Sequence, residues 1–320
     1  MDKGKLLDIY AKIKDFNKII ITVHKRPDGD CLGSAYGLQD IIKATWPKKQ
    51  VLVSAEKVGY LDFLGEPDKV EDKDFDGALV INVDTAGRDR IFDQRYGRGD
   101  MLIKIDHHLP VENFGDIDYV DTTRPSCTLI IMDLFNEFSN KFKITKKGAQ
   151  ALYTGTLTDT GRFKYSGVDG DTFRSVAVLY DNGLETKEIY KHLDVRTDEL
   201  TRYKGYFLQH YKKTKNGVAY INILPKHLKK FKVSLGEATS LVNELGYFDD
   251  CPIWILFAEY EGKIVRARMR SKGPAIDKLA NKYDGGGHRL ACGANLGTWK
   301  RAKELLIEAD LLAKKYKEEE

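Results

Sequence analysis

The sequence predicts an α/β fold in which a parallel-sheet N-terminal domain is joined by a helical linker to a smaller α/β C-terminal domain. In the first half of the chain, short apolar runs rich in Val and Ile alternate with segments of helical periodicity, which is the pattern of βαβ units. A length of 320 residues also fits two domains at about 150 residues each. We expect the first domain at 1–195, the linker at 196–215 and the second domain at 216–320.

Five apolar runs in the first half are predicted strands of one parallel sheet. They are Lys18–Val23, Gln50–Ala55, Ala78–Val83, Met101–Ile105 and Ile117–Val120. Helical spacing predicts the helices 1–16, Cys31–Trp46, Ser126–Phe138, Ala149–Leu157, Thr172–Asn182 and Leu184–Leu193. Ser126 follows Pro125 and is a suitable N-cap, because its hydroxyl can accept a bond from the first turn.

The second half begins with a helix that carries charges on its faces, Thr197–Tyr211, which we interpret as the linker. Beyond it, β-branched and aromatic runs predict the strands Gly217–Leu224, Pro252–Glu259, Lys263–Arg270 and Leu290–Asn295. Helical spacing predicts Ser234–Leu245, Ile276–Tyr283 and Thr298–Tyr316. These elements form the predicted α/β C-terminal domain.

Composition excludes several function classes. A net charge of +4 argues against broad, salt-driven binding to long duplex DNA or RNA, although a local basic pocket remains open. The four cysteines show no C-x-x-C spacing, so we expect buried thiols in a reducing compartment. The N-terminal helix lacks the long apolar run of a secretory signal, and no stretch approaches the ~18 apolar residues of a membrane span. We therefore expect a cytoplasmic protein without a membrane partner.

Polar side chains gather at the ends of the apolar runs. Clusters follow the first, third and fourth strands, and one aspartate follows the helix Ala149–Leu157. The working site of a parallel α/β sheet lies beyond the carboxyl ends of its strands, so these side chains should converge at one edge. The candidates are His24, Asp28, Asp30, Asp84, Asp106, His107, His108 and Asp159.

Aspartates and histidines packed in this way would be costly to bury unless a cation lay between them. Mixed carboxylate and imidazole ligands suit manganese, iron, cobalt or zinc. The candidates exceed the needs of one ion, which favours two ions that together clamp a phosphoryl group. Each motif alone could equally be a turn or a helix cap, as Pro27 and Gly29 suggest for Asp28 and Asp30. It is their joint occurrence at strand ends that favours a metal site.

These motifs resemble those of the DHH phosphoesterase superfamily. The segment from His24 to Ser34 (HKRPDGDCLGS) resembles the first motif, and Asp84 in NVDT resembles the second. Asp106-His107-His108 is similar to the naming triplet, and TDTGRF, which contains Asp159, resembles the fourth motif. Gly285-Gly286-Gly287-His288 resembles the glycine-rich motif of the DHH-associated C-terminal domain. Within the superfamily, the chain is most similar to the group of nanoRNases and pAp phosphatases.

The resemblance implies two metal sites that share Asp84, with manganese as the expected ion. One site would be held by His24, Asp28 and Asp84, and the other by Asp30, Asp84, His107 and Asp159. Asp106 would orient a histidine ligand by accepting its second N–H. His108 would face the scissile phosphate and stabilise developing charge or the leaving oxygen. Water is the expected nucleophile, so no covalent enzyme intermediate is required.

The second domain carries the predicted substrate-binding residues. Arg266, Arg268 and Arg270 alternate with apolar residues, which puts all three on one face of a strand, where guanidinium groups suit phosphate oxygens. The alternative is an edge strand protected by charges. The resemblance supports a further set of nucleotide contacts, namely Arg270, Ser271, Gly286, Gly287 and His288.

The glycine run would let the backbone approach an anion closely, although a simple helix C-cap and turn is the alternative. Asp284 departs from the family pattern, since it stands where relatives often have another glycine. It leaves a carboxylate beside the predicted phosphate pocket.

The expected function is cleavage of very short RNA to 5′-nucleotides and conversion of 3′-phosphoadenosine 5′-phosphate (pAp) to AMP, in a cleft between the two domains. A dedicated dinucleotide or cyclic-dinucleotide phosphodiesterase acting on pApA is the nearest alternative. A non-catalytic nucleotide-binding module is a third, against which the complete ligand set argues. The resemblance also suggests a homodimer.

Overall fold

The chain forms two compact units, Met1–Val195 and Arg196–Glu320, in a computed structural model that describes residues 2–319. The segment 196–215, expected as a linker, belongs to the second unit. Its helix buries Leu200, Tyr203 and Phe207 in the core of that unit, which is why it packs as part of a domain.

The first unit is built on a five-stranded sheet in which every neighbouring pair is parallel, with the order β2-β1-β3-β4-β5. Its strands are β1 Lys18–Thr22, β2 Gln50–Ser54, β3 Leu79–Val83, β4 Met101–Asp106 and β5 Ile117–Val120. The predicted strands are thereby confirmed to within about one residue at each end. Because β1 and β3 are neighbours and the chain moves outward from them in opposite directions, the switch point of the sheet lies between these two strands.

Helices cover this sheet. They are α1 Lys3–Asp15, α2 Gly29–Thr45, α3 Cys127–Glu137, α4 Lys146–Asp159, α5 Gly170–Asp181 and α6 Thr186–Asp194. Ser126 caps α3 as predicted, since its Oγ accepts a bond from the Leu129 amide. Short 3₁₀ helices occur at Gly59–Leu64, Asp72–Asp74, Arg88–Arg90 and Tyr96–Arg98.

Glycines allow α2 and α4 to pack against each other at backbone contact. A Cβ on Gly33 would lie 2.6 Å from the carbonyl oxygen of Ala151 and 3.0 Å from the backbone of Gly155. A Cβ on Gly29 would lie 2.3 Å from Thr158 Oγ1. The first turn of α2 and the last turn of α4 are therefore held together, which brings the start of one helix next to the end of the other.

The second unit has a six-stranded mixed sheet with the order β10-β11-β9-β8-β7-β6, in which β7 and β8 are parallel. Its strands are β6 Lys212–Lys213, β7 Ala219–Ile223, β8 Ile253–Glu259, β9 Val265–Ser271, β10 Gly286–His288 and β11 Ala291–Gly297. Its helices are α7 Asp198–His210, α8 Pro225–Phe231, α9 Leu235–Ser240, α10 Asp277–Asn281 and α11 Trp299–Glu319, with 3₁₀ helices at Leu241–Tyr247 and Glu261–Lys263.

The sequence pattern did not predict β6, α8 or β10. The single helix predicted at Ser234–Leu245 consists of α9 and the 3₁₀ helix that follows it. The two faces of the second sheet have separate cores. One contains α10 and α11 residues, and the other contains residues of α7 and α9. Within residues 2–319, none of the helices is long and apolar enough to cross a membrane.

Candidate metal centre and substrate-binding face

Three of the predicted clusters meet at the carboxyl ends of the central strands. His24 follows β1, Asp84 follows β3, and Asp106 ends β4, so the switch point of the first sheet brings them together. His24 also forms a bridge with Ile91, and its Nδ1 lies 3.0 Å from the carbonyl oxygen of Lys25. If Nδ1 carries the proton for that bond, Nε2 is the nitrogen left to act as a ligand.

Asp84 lies at the centre of the site. Its backbone has a φ of 54°, an unusual conformation for a residue with a Cβ, and its side chain is 2% exposed. Its Oδ1 lies 3.4 Å from both His107 Nε2 and His108 Nδ1, and its Oδ2 lies 3.7 Å from His24 Nε2. Burial raises the pKa of Asp84, but His107 and His24 outweigh it and hold this pKa well below its usual range. Asp84 is therefore an ionised carboxylate that faces three imidazoles.

Asp28 and Asp30 combine capping with site formation. Asp28 caps α2 by accepting bonds from the amides of Asp30 and Cys31, and its Oδ1 lies 4.0 Å from His24 Nε2. Asp30 is buried and accepts bonds from the amides of Cys127 and Thr128 at 2.6 and 3.0 Å. The carboxylate of Asp30 thus holds the N-terminus of α3, and burial together with the charge of Asp84 raises its pKa to about 7.

His107 connects these groups to the end of α4. Its Nδ1 lies 3.3 Å from the carbonyl oxygen of Arg124, and its Nε2 lies 3.4 Å from Asp84 Oδ1 and from Asp159 Oδ2. The same Nε2 lies 3.7 Å from Asp30 Oδ2. Burial lowers the pKa of His107, but Asp84, Asp30 and Asp159 outweigh it and raise this pKa to about 10. The surrounding carboxylates therefore favour the protonated form of His107 in the metal-free site.

Asp106 contacts His108, the third residue of the same motif. The Nδ1 of His108 lies 2.8 Å from Asp106 Oδ1, and the His108 amide donates to the same oxygen at 3.2 Å. On the other side, Lys104 Nζ lies 3.5 Å from Asp106 Oδ2, and both side chains are fully buried. Lys104 also donates to the carbonyl oxygen of Ala86, in the loop that follows Asp84. The buried pair of Lys104 and Asp106 therefore lies next to His108 and contacts it through Asp106.

The donors fit a divalent metal. In each of three sets of side chains, the possible ligand atoms lie within 4.8 Å of one another, which is close enough to hold a metal ion. Asp84 Oδ1 is buried and accepts no hydrogen bond from the described residues, an unsatisfied position that a cation would fill. The sets are His24, Cys31 and Asp84; Asp84, His107 and His108; and Asp30, His107 and Asp159.

Two residues of the site are absent from the sequence-based prediction. Cys31 contributes its sulfur to the set around His24, and Lys104 supports Asp106. Lys104 had a signal, because it is a charged residue within the apolar run MLIKID and its neighbours are buried. The sequence contained no comparable signal for Cys31, since a lone cysteine in a helix usually packs as a small apolar side chain.

The three arginines of the second unit share one face of β9. They alternate with Val265 and other buried residues, and they are partly or fully exposed. Because β9 pairs with β8 on one side and β11 on the other, the edge-strand alternative is wrong. Arg266 lies over the ring of Tyr260, and Arg270 donates through Nη1 to the carbonyl oxygen of Met269.

The glycine run lies beside β11 and not only in a turn. A Cβ on Gly285 would lie 2.1 Å from the carbonyl oxygen of Gly293, and Gly287 has a φ of 139° with a Cβ position 2.5 Å from the carbonyl oxygen of Ala291. Glycine is therefore required at both positions. Gly286 and His288 belong to β10, and His288 is exposed. The unusual Asp284 is paired with Arg301 at 2.8 Å, which offsets its charge.

Ser271 has a structural role in its loop. Its Oγ donates to the carbonyl oxygen of Pro274 at 2.7 Å and accepts a bond from the Gly273 amide. The side chain is buried. These bonds already use the hydroxyl proton, so any contact of Ser271 with a nucleotide depends on its remaining acceptor capacity.

A doubly wound parallel sheet with aspartate and histidine ligands at its switch point defines a metal-dependent α/β enzyme. The DHH family, N-terminal domain, matches residues 18–156, and the DHHA1 domain matches residues 215–315. The chain belongs to the DHH family of phosphoesterases.

Two relatives carry a more specific description. The chain is 40% identical to a probable bifunctional oligoribonuclease and PAP phosphatase NrnA of Streptococcus mutans, over 90% of this chain and 92% of the relative. It is 35% identical to the bifunctional oligoribonuclease and PAP phosphatase NrnA of Bacillus subtilis, over 97% and 99%. A crystal structure of an exopolyphosphatase-related protein from Bacteroides fragilis has the same fold, with a TM-score of 0.86, 25% identity, and coverage of 98% of this chain and 97% of that one.

Proposed function

We propose that this protein is a phosphoesterase that degrades short oligoribonucleotides to 5′-nucleotides and dephosphorylates pAp to AMP. The observation that carries the proposal is the buried Asp84 carboxylate facing His24, His107 and His108 at the switch point of the sheet. The two NrnA relatives, matched over nearly their full length, support the choice of substrates.

We assign two divalent ions to this donor set, with Mn²⁺ as the expected metal, since mixed carboxylate and imidazole ligands suit it. His24, Asp28 and Asp84 would hold one, and here Asp28 Oδ1 and Asp84 Oδ2 lie 4.0 and 3.7 Å from His24 Nε2. Asp30, His107 and Asp159, which form one compact group, would hold the other together with Asp84. When bound, such ions neutralise the carboxylates and polarise a phosphoryl group towards attack by water. The two oxygens of Asp84 point to different histidines, as the shared position requires.

We assign His108 to contact with the substrate phosphate and Asp106 to the orientation of His108. Because Asp106 accepts the Nδ1 proton of His108, the contact with a phosphate oxygen falls to Nε2. Burial raises the pKa of Asp106, but the bonds from His108 outweigh it and hold this pKa below its usual range. Lys104 Nζ lies 3.5 Å from the other carboxylate oxygen of Asp106. His108 also lies as close to Asp84 as His107 does, so the imidazole is held between two carboxylates.

The second unit is assigned to recognition of the nucleotide. Arg266, Arg268 and Arg270 offer donors suited to phosphate oxygens. The backbone of Gly286 and Gly287 admits a close approach, and the exposed imidazole of His288 can donate to a terminal phosphate. Ser271 shapes the loop that follows the arginine strand. A cytoplasmic location and a homodimer remain predictions.

The test compares hydrolysis of pAp and pApA by the manganese-loaded protein, with Asp84→Ala as the control. We expect turnover of both substrates and its loss in the variant. Turnover of pApA alone would assign the protein to the dinucleotide phosphodiesterases. Nucleotide binding that persists in EDTA, without turnover of either substrate in manganese, would instead indicate a binding module.

A further inference from the structure

Positive charge is concentrated in one segment of the second unit. Between Leu200 and Gly236 the sequence has nine Lys and Arg residues and neither Asp nor Glu. The net charge of the whole chain is only +4, so the rest of the chain is net negative. Such a concentration indicates a local surface for a polyanion, which the charge of the whole chain conceals.

Part of this charge lies on one exposed surface made by α7 and α8, which we name the α7–α8 surface. Lys226, Lys229 and Lys230 of α8 are exposed, and within residues 2–319 none of them forms a salt bridge. Arg202 and His210 of α7 are exposed as well. Because these lysines are not neutralised by carboxylates, their charges are available to a ligand.

Rings lie among the charges where the two helices meet. Tyr206 stacks on His210, with 3.9 Å between ring centroids, and its hydroxyl lies 3.3 Å from His227 Nε2. Lys230 lies over the rings of Tyr206 and Phe231. Basic side chains interleaved with aromatic and imidazole rings are typical of surfaces that bind single-stranded nucleic acid.

An anionic membrane is the other polyanion that lysines could bind. A helix that enters a membrane interface presents large apolar side chains next to its basic ones. Among the described residues, no large hydrophobic side chain of α7 or α8 is strongly exposed. The composition of the α7–α8 surface therefore favours RNA over lipid.

The α7–α8 surface and the arginines lie on the same side of the second sheet. In β8, Trp254 is opposite Arg270 and Leu256 is opposite Arg268, and side chains directly opposite each other share a face. Trp254 and Leu256 pack in the same core cluster as Tyr203 of α7. Both groups of charges can therefore contact one strand of RNA within this unit.

We propose that the α7–α8 surface binds the phosphate backbone of single-stranded RNA, beyond the nucleotides held by the arginines of β9. The inference rests on the proposed function, because it takes short RNA as the substrate. Such a surface would let the protein bind a longer oligonucleotide more tightly than pAp. A pentaribonucleotide has phosphates that reach this surface, whereas pAp has none to spare.

The experiment measures binding of a fluorescently labelled pentaribonucleotide to the full chain in EDTA, over a range of salt concentrations. The test variant combines Lys226→Ala, Lys229→Ala and Lys230→Ala. We expect its affinity for the pentaribonucleotide at low salt to fall by on the order of tenfold, with a salt dependence that is shallower by about 0.7 per lost phosphate contact. Binding of pAp should stay unchanged.

A matched control removes three exposed lysines from α11, on the opposite side of the sheet, through Lys300→Ala, Lys303→Ala and Lys315→Ala. Affinity of the test variant equal to that of the native chain would overturn the proposal. An equal loss of RNA affinity in the control variant would also overturn it, and so would the absence of measurable RNA binding by the native chain. A test variant that loses binding to phosphatidylserine vesicles but keeps its affinity for RNA would overturn it as well. Since EDTA prevents turnover, the result is independent of whether manganese-loaded protein hydrolyses pAp.

Discussion

The two units use polar residues in opposite ways. In the first unit, the site side chains are close together, and all except the exposed Asp28 are buried or half-buried. Backbone bonds hold them, as in the contacts of Asp30 with the amides of α3. In the second unit, the arginines of β9 and His288 are partly or fully exposed. The difference fits the ligand that we propose for each unit, since buried carboxylates need a cation whereas exposed arginines and backbone amides suit an anion.

Backbone contact between helices occurs in the first unit, where like charges have to be held close together. Asp30 and Asp159 repel each other and Asp84, and burial together with this repulsion raises the pKa of both. The fold keeps them in place through the glycine contacts of α2 and α4. The substrate-binding face needs no such confinement, because solvent screens its charges.

The largest effect is expected from Asp84→Asn. The carboxylate shared by both proposed metal positions is lost, so the turnover number should fall by about a thousandfold or more while binding of pAp to the second unit changes little. The measurement is steady-state hydrolysis of pAp and pApA in manganese, with Tm recorded in EDTA to establish that the variant folds. A folded variant with more than a tenth of native activity would contradict the central position of Asp84.

Gly33→Ala should break the packing that positions the first unit. Its Cβ would meet the backbone of α4 at 2.6 Å, so α2 and α4 must separate, and we expect a loss of about 3 kcal/mol in the free energy of unfolding together with reduced turnover. The matched control is Gly205→Ala in α7, where a Cβ meets nothing within 4 Å. Urea denaturation should show the control to be more stable by up to about 1 kcal/mol. Equal changes in the two variants would refute the packing argument.

Arg270→Ala should affect binding and not chemistry. Loss of a charge-assisted bond to a phosphate is expected to raise KM by tenfold or more, at about 1.5–3 kcal/mol per bond, with kcat within a few-fold of native. Lys300→Ala, an exposed charge on α11, serves as the control. A fall in kcat at constant KM would contradict the assignment of catalysis to the first unit and of nucleotide binding to the second.

The smallest effect concerns pH and the metal-free protein. The pKa of His107 is raised from its ordinary value of 6.5 to about 10, so its proton stabilises the folded state fully below pH 6.5. This contribution is lost as the pH rises towards 10, and Tm measured in EDTA should fall by several degrees over that window. His107→Gln removes the group that titrates and should flatten the profile. A Tm that rises between pH 7 and 10 in the native metal-free chain would contradict the assignment.

Local patterns determined much of this fold. Runs such as Lys18–Val23 and Gln50–Ala55 combine β-branched residues with turn signals, and the structure contains strands at these places. The short α8 has a Pro at its first position, a signal that the sequence analysis did not use. β6 has two exposed lysines and no apolar pattern, so its strand character comes from pairing with β7.

The sequence by itself indicated most residues of the candidate metal site, because side chains at the carboxyl ends of neighbouring parallel strands meet at one edge of the sheet. It contained no signal for Cys31. Only the tertiary structure decided how the site residues are held. Asp30 caps a helix that begins 97 residues later, and Asp106 turned out to hold His108 with support from Lys104. Such contacts depend on distances between elements far apart in the chain, whereas the periodicity of a sequence records only which face of one element is buried.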